Sequence, residues 1–266
     1  MILVGASPLG LLLAVAAAVA YAVLALAARR IGPVRARRVM LLAWALHGAL
    51  LVWDLLHGQP HFGFAQALSI TVWLVLTAYV VESRLYPQMR ARWALAGFGV
   101  LTVVLPVLFP GAKLPATTSP LLPLHWALGI AAYGLMAAAV VHGWMMTRLE
   151  RQMRQRRPAR VEEGGGVPLL TLERLMFRFV GAGFVLLTLT MLVGLFFGGG
   201  DAWRWDHKRV FTLLSWLVFA VLLAGRWWMG WRGRRAVHML YAGSALLLLG
   251  YAGSRFVLEV LLGRAP

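Results

Sequence analysis

The densest group of chemistry-bearing residues in the chain lies in the stretch GGGDAWRWDHKRVFTLLSW, Gly198 to Trp216. Trp203, Trp205, Asp206, His207 and Lys208 fall close together there and run straight into an apolar segment. A second histidine, His125, opens another apolar run, PLLPLHWALGIAAYG. Imidazoles on two helix starts, flat indole surfaces and nearby cations are the parts that hold a planar, dianionic iron porphyrin: axial ligands, a stacking wall and partners for the propionates. Each residue alone has a plainer reading. Asp206 is placed to cap a helix starting at His207, and Trp203 and Trp205 suit a membrane headgroup belt.

Two further polar stripes accompany this group. His47, Asp54, His57 and the loop-proximal His61 fall within an arc of about 80° at 100° per residue. Such a stripe is either satisfied by neighbouring helices or lines a ligand. Near the C-terminus, Tyr241, Ser244, Tyr251, Arg255 and Glu259 share a helix face. Arg255 there either pairs with Glu259 at i, i+4 or faces an anionic ligand between helices. The chain has no cysteine, which excludes disulfides, thiolate metal sites, iron–sulfur clusters and CxxCH haem attachment. It also lacks GxxxxGK[ST], HExxH and GxSxG, so NTPase and common hydrolase mechanisms have no support.

What must position these residues is a membrane bundle. Hydrophobic residues make up 61% of the 266 and charged ones only 13%, too little polar surface to cover a soluble globule. A helix crosses ~30 Å of hydrocarbon with about 20 apolar residues. Eight spans are predicted, roughly at 9–28, 39–57, 64–81, 93–109, 123–147, 174–197, 208–226 and 236–262, joined by short loops. The fourth is short and contains Pro106. The first is followed by Arg29, Arg30, Arg35, Arg37 and Arg38 and has no basic residue before it, the reverse of a cleavable signal peptide, so it reads as retained. The expected fold is all-α, one integral membrane domain over 1–266.

Charge gives that bundle a direction. Of the 26 Lys and Arg, those at 29–38, 84–92, 148–178 and 226–235 fall on one side of an eight-span arrangement, leaving only Lys113, Arg204, Lys208, Arg209, Arg255 and Arg264 on the other. The positive-inside rule makes the basic side cytoplasmic and both termini extracytoplasmic. His57, His61, His125 and His207 then gather at the outer surface, His47 near mid-membrane, and His142 and His238 towards the cytoplasm. The net charge of +17 follows loop parity and speaks for anionic lipid, with no nucleic-acid-binding module. One connection has linker character: over 150–168 the chain passes Pro158, an acid pair and three glycines, and is expected to be a mobile cytoplasmic linker.

The second half of the chain resembles the cytochrome c assembly protein family, haem-handling membrane proteins of the CcsA and CcmC kind. Trp203-Arg204-Trp205-Asp206-His207-Lys208 resembles the end of that family's tryptophan-rich WWD signature, and HWALGIAAYG its histidine-led helix. The segments ERLMFRFVGAGFVLLTLTMLVGLFF, FTLLSWLVFAVLLAGRWWMGWRGRRA and YAGSRFVLEVLL are similar to the small YpjD and HemX branch, and the likeness is strongest over 121–262. The resemblance implies non-covalent binding of haem b at the outer side of a multi-pass bacterial inner-membrane protein. It implies His125 as a ligand and Trp203, Trp205 and Asp206 as the cradle. His207 as second ligand follows from its position, Lys208 and Arg255 are the propionate partners, and His47, in the polar interior, is the remaining candidate cofactor-binding residue. The motif has one short W-x-W-D unit and no large extracytoplasmic domain follows, which favours haem handling over cytochrome c synthase catalysis. Besides haem and membrane lipids, the expected partners are cytochrome c maturation proteins. In a HemX-like regulator the partner would instead be a cytoplasmic enzyme of tetrapyrrole synthesis. A membrane transport protein whose histidines only form hydrogen bonds is the third reading.

Overall fold

The residues at 7–27, 30–57, 61–85, 92–113, 121–154, 168–197 and 207–253, with Phe256, are described by a computed structural model. Eight helices carry it: α1 Pro8–Ala27, α2 Pro33–Leu56, α3 Phe64–Leu85, α4 Arg92–Leu108, α5 Leu121–Arg154, α6 Leu169–Phe197, α7 His207–Met229 and α8 Gly233–Leu248. Six of them (α1, α2, α3, α5, α6 and α7) are long and apolar enough to cross a membrane. The helix count and order agree with the sequence reading. Gln155 to Val167, most of the anticipated linker, lie outside the described residues.

Two compact units divide the chain, Met1–Pro115 with Arg255–Pro266, and Ala116–Ser254. In the first, α1 packs on α2 and α4, and α3 packs on α2 and α4. The buried face of α1 is Gly10, Ala14, Ala17, Ala20, Tyr21 and Leu24, a stripe at three- and four-residue intervals made mostly of small side chains. Small residues let helix backbones approach where lipid supplies no hydrophobic drive between helices.

This unit departs from the all-α expectation at one point. Two short strands, β1 His61–Phe62 and β2 Ala112–Lys113, pair antiparallel, with His61 opposite Lys113 and Phe62 opposite Ala112. Gly111 makes this possible at φ 75°, where a Cβ would stand 2.8 Å from the Gly63 nitrogen. Gln66 Nε2 donates to the Pro110 carbonyl at 2.7 Å and closes the same junction. A ladder of two residue pairs leaves no periodicity for a sequence to display.

In the second unit, α5 packs on α6 and α8, and α7 packs on α6 and α8, so α5 and α7 form the diagonal pair of a four-helix bundle. Ala132, Met136, Ala139, Gly143 and Met146 on α5 meet Met176, Val180 and Leu187 of α6 along a seam of near-heptad spacing. Gly143 is part of that seam because a Cβ there would lie 3.6 Å from Met176 Sδ and 3.3 Å from Leu240 Cδ2. The 34 residues of α5 extend ~51 Å at 1.5 Å per residue, longer than a bilayer core. The span expected over 236–262 is described as an α-helix to Leu248 followed by a π turn over Leu249–Gly253, and beyond that turn only Phe256 is among the described residues.

Candidate functional site

His125 lies in the second turn of α5, half-buried against α6. Its Nδ1 stands 2.9 Å from the carbonyl oxygen of Thr190. A carbonyl can only accept, so in the neutral ring Nδ1 carries the proton and Nε2 the lone pair. Gly194, one turn beyond Thr190, allows the ring to come this close. A Cβ at that position would stand 3.1 Å from Cε1 and 3.4 Å from Nδ1. Thr190 Oγ1 donates to the Leu186 carbonyl at 2.8 Å and so stays within its own helix.

His207 is the first residue of α7 and is exposed, and Lys208 beside it is half-buried. The start of α7 is seated on the π turn of α8. At Gly250 a Cβ would lie 3.3 Å from Phe211 Cβ, 3.4 Å from Thr212 Oγ1 and 3.6 Å from the Lys208 carbonyl oxygen. Further along α7, Trp216 Nε1 donates to Thr188 Oγ1 at 2.9 Å and its ring stacks on Phe184 at 5.3 Å, tying α7 to α6. The diagonal helices thus carry His125 in the second turn of α5 and His207 at the start of α7, in one compact unit. Trp203, Trp205, Asp206 and Arg255 lie outside the described residues.

His47 belongs to the first unit and is fully buried. Its Nε2 is 2.9 Å from Ser69 Oγ and its Nδ1 3.4 Å from the Tyr21 hydroxyl, so the ring joins α1, α2 and α3. The stripe read from sequence divides here. Asp54 and His57 are exposed, and His57 stacks on Trp53 at 3.4 Å. His142 is buried, with Nδ1 2.8 Å from the Ala138 carbonyl of its own helix and its ring against Phe179. His238 is exposed. Among the described residues no group of three or more His, Asp or Glu is placed to hold a metal ion.

The opposite end of the second unit is held by charge. Arg226 of α7 donates from Nη1 to Glu173 Oε1 of α6 at 2.7 Å and to the Trp231 carbonyl at 3.3 Å. Arg232 Nε lies 3.8 Å from the same carboxylate, and Glu150 of α5 receives Arg154 at 2.7 Å. The Trp231 ring lies on Gly225, where any Cβ would collide with it.

Residues 36–262 match the family described as "Cytochrome C assembly protein". The chain belongs to the cytochrome c assembly protein family. It is 27% identical over 257 residues to the inner membrane protein YpjD of Escherichia coli K12, covering 83% of this chain and 97% of that protein. It is 36% identical over 86 residues to the cytochrome c biogenesis protein CcsA of Trichormus variabilis, covering 31% of this chain and 24% of that one. With CcsA of Thermosynechococcus vestitus the identity is 26% over 241 residues, covering 80% of this chain and 71% of the relative. No solved structure matches the chain. With its apolar helices, this family member is a multi-pass inner-membrane protein related to those of cytochrome c maturation.

Thr190, Gly194 and Gly250 were not legible as site residues in the sequence. A backbone carbonyl has no sequence signature, but Gly194 inside the apolar run MLVGLFF is an isolated helical glycine, the mark of a close approach.

Proposed function

We propose that this family member binds haem b non-covalently at the outer side of its second unit and handles it in connection with cytochrome c maturation. The observation that carries the reading is the bond from His125 to the Thr190 carbonyl. Histidines that bind a metal through one nitrogen characteristically donate the other N–H to a carbonyl or carboxylate, which fixes the tautomer and raises ligand basicity. The residues fit the group in donor chemistry: a neutral imidazole with Nε2 as its lone-pair atom, set against a glycine.

In this reading His125 and His207 would hold the iron, and Trp203 and Trp205 would form the cradle of the ring. Asp206 would complete that cradle, and Lys208 and Arg255 would meet the propionates. His47, with both ring nitrogens engaged, supports the polar interior. Haem, when bound, supplies a redox-active iron and a cargo that the chain holds without a covalent bond. The chain's own residues orient an imidazole, anchor the start of α7 and offer cations at the headgroup level. The distribution of basic residues supports an extracytoplasmic face for this site, with both termini on the same side. Membrane lipids and cytochrome c maturation proteins are the proposed partners, and the linker over 150–168 faces the cytoplasm.

The test is an absorbance spectrum of the protein purified in mild detergent after expression with haem supplied. A Soret band that co-elutes with the monodisperse protein is expected. A chain that folds and stays free of the band under haem titration overturns the proposal and leaves hydrogen bonding as the role of these histidines.

A further inference from the structure

The start of α7, which the proposed haem site requires to point His207 and Lys208 towards the ring, has a support that nothing in its own sequence announces. The Tyr133 hydroxyl, on α5, donates to the carbonyl oxygen of Leu247 at 2.6 Å. Leu247 lies in the last turn of α8, two residues before the π turn Leu249–Gly253 begins. A side chain that bonds into the i→i−4 ladder is a recognised cause of a local bend or widening of a helix, and single π turns are frequent at functional sites. Within that turn Gly250 approaches the first turns of α7 so closely that a Cβ would stand 3.3 Å from Phe211 Cβ and 3.6 Å from the Lys208 carbonyl oxygen. The contact between the π turn and α7 is thus a backbone seat.

We infer that Tyr133 is a positioning residue: its hydroxyl holds the α8 backbone at Leu247 so that the π turn seats Gly250 against α7 and fixes the direction in which His207 and Lys208 leave the bundle. Tyr133 is eight residues from His125, about 80° round the helix at 100° per residue, so one face of α5 holds α6 and the next holds α8. A single helix therefore sets His125 directly, through Thr190, and His207 at second hand, through Leu247 and Gly250. The hydroxyl of Ser215 supplies an internal comparison. It donates to the Gly243 carbonyl of α8 at 2.8 Å, again a hydroxyl bonded to the α8 backbone, but Gly243 lies well before the π turn.

This inference deepens the haem reading, and its test separates the two. The chain has no cysteine, so a pair introduced at Leu195 and Val210, both exposed, can carry spin labels without a background. In the full-length protein in nanodiscs, Tyr133→Phe is expected to shift the mean label distance by on the order of 1.5 Å, one helical rise, and to broaden the distribution. Gly250→Ala should do the same by pushing on Phe211, and Ser215→Ala should leave it unchanged. In protein loaded with haem, Tyr133→Phe and Gly250→Ala should also change the low-spin electron paramagnetic resonance signal, and Ser215→Ala should not. A distance distribution that is unchanged in both Tyr133→Phe and Gly250→Ala overturns the inference, whatever the haem content. A shifted distribution in protein that never takes up haem upholds the positioning of α7 and overturns the haem proposal alone. If Tyr133→Phe is not monodisperse, Gly250→Ala decides by the same measurement.

Discussion

His125 Nδ1 lies 2.9 Å from the Thr190 carbonyl oxygen, so a side chain in the second turn of α5 is bonded to the backbone of α6. That bond fixes both the tautomer and the aim of the ring, and it crosses to a neighbouring helix. His142 donates within its own helix, and His47 has partners at both nitrogens. The first prediction follows. His125→Ala and His207→Ala each reduce haem occupancy or displace the Soret maximum, and His142→Ala and His238→Ala do neither. Spectra of the four variants at equal protein concentration check it; indifference to both outer substitutions removes the ligand assignment.

Gly194 gives a finer test of the same bond. An added Cβ would press on Cε1 at 3.1 Å, so Gly194→Ala must move the imidazole by a few tenths of an ångström or break its bond to Thr190. Partners that orient a metal-bound histidine are worth about 10- to 100-fold in affinity, and a weakened bond should fall near the lower end of that range. Haem titration of the variant should show this loss with no change in helix content. Wild-type affinity would mean that the ring tolerates the methyl and that the glycine serves packing alone.

His47 should behave differently. His47→Leu keeps the volume roughly constant but leaves the Tyr21 and Ser69 hydroxyls buried without their partner, at about 1–3 kcal/mol for each unsatisfied group. Thermal unfolding followed by tryptophan fluorescence should shift downwards while the Soret band, normalised to folded protein, stays. Loss of the band with unchanged thermal stability would instead place His47 among the haem ligands.

The contrast between these histidines also shows what a sequence carries. The spans of α1, α3 and α7 follow from apolar length alone, because lipid demands about 20 such residues whatever they pack on. Length also located His125 and His207 on helix starts. It gave no sign of the Thr190 carbonyl, since every residue has one, nor of the Tyr133 hydroxyl reaching Leu247 across 114 positions. The stripe joining His47 to Asp54 and His57 was real as an angle, yet burial sent His47 inside and left the other two exposed. Angle round a helix is local; what covers that face is a property of the other helices.

Orientation rests on charge distribution and is open to direct measurement. An alkaline phosphatase fused after Pro266 should be active and a green fluorescent protein at the same position dark, because both termini are expected outside. The reverse pair of results would turn the bundle over and move the proposed site to the cytoplasmic face.

The last prediction concerns the end of the second unit away from the histidines. Glu173 is 6% exposed and receives Arg226 at 2.7 Å, while Arg226 also donates to the Trp231 carbonyl in the turn between α7 and α8. Two helices and a turn therefore share one guanidinium. Glu173→Gln keeps the shape and removes the charge, leaving a guanidinium that is 30% exposed with a weaker acceptor. Hydrogen bonds to charged groups contribute about 1.5–3 kcal/mol, which for a chain of this size corresponds to a fall of roughly 3–12 °C in Tm. Because the pair is far along α6 and α7 from Thr190 and His207, the Soret maximum of the surviving folded protein should not move. Raising the salt concentration should weaken the wild type only slightly, since the carboxylate is shielded from mobile ions. A Glu173→Gln protein with wild-type Tm would show that Arg226 is held by the Trp231 carbonyl and the neighbouring Phe177 ring, over which its guanidinium stands at 4.6 Å, and that the carboxylate adds nothing.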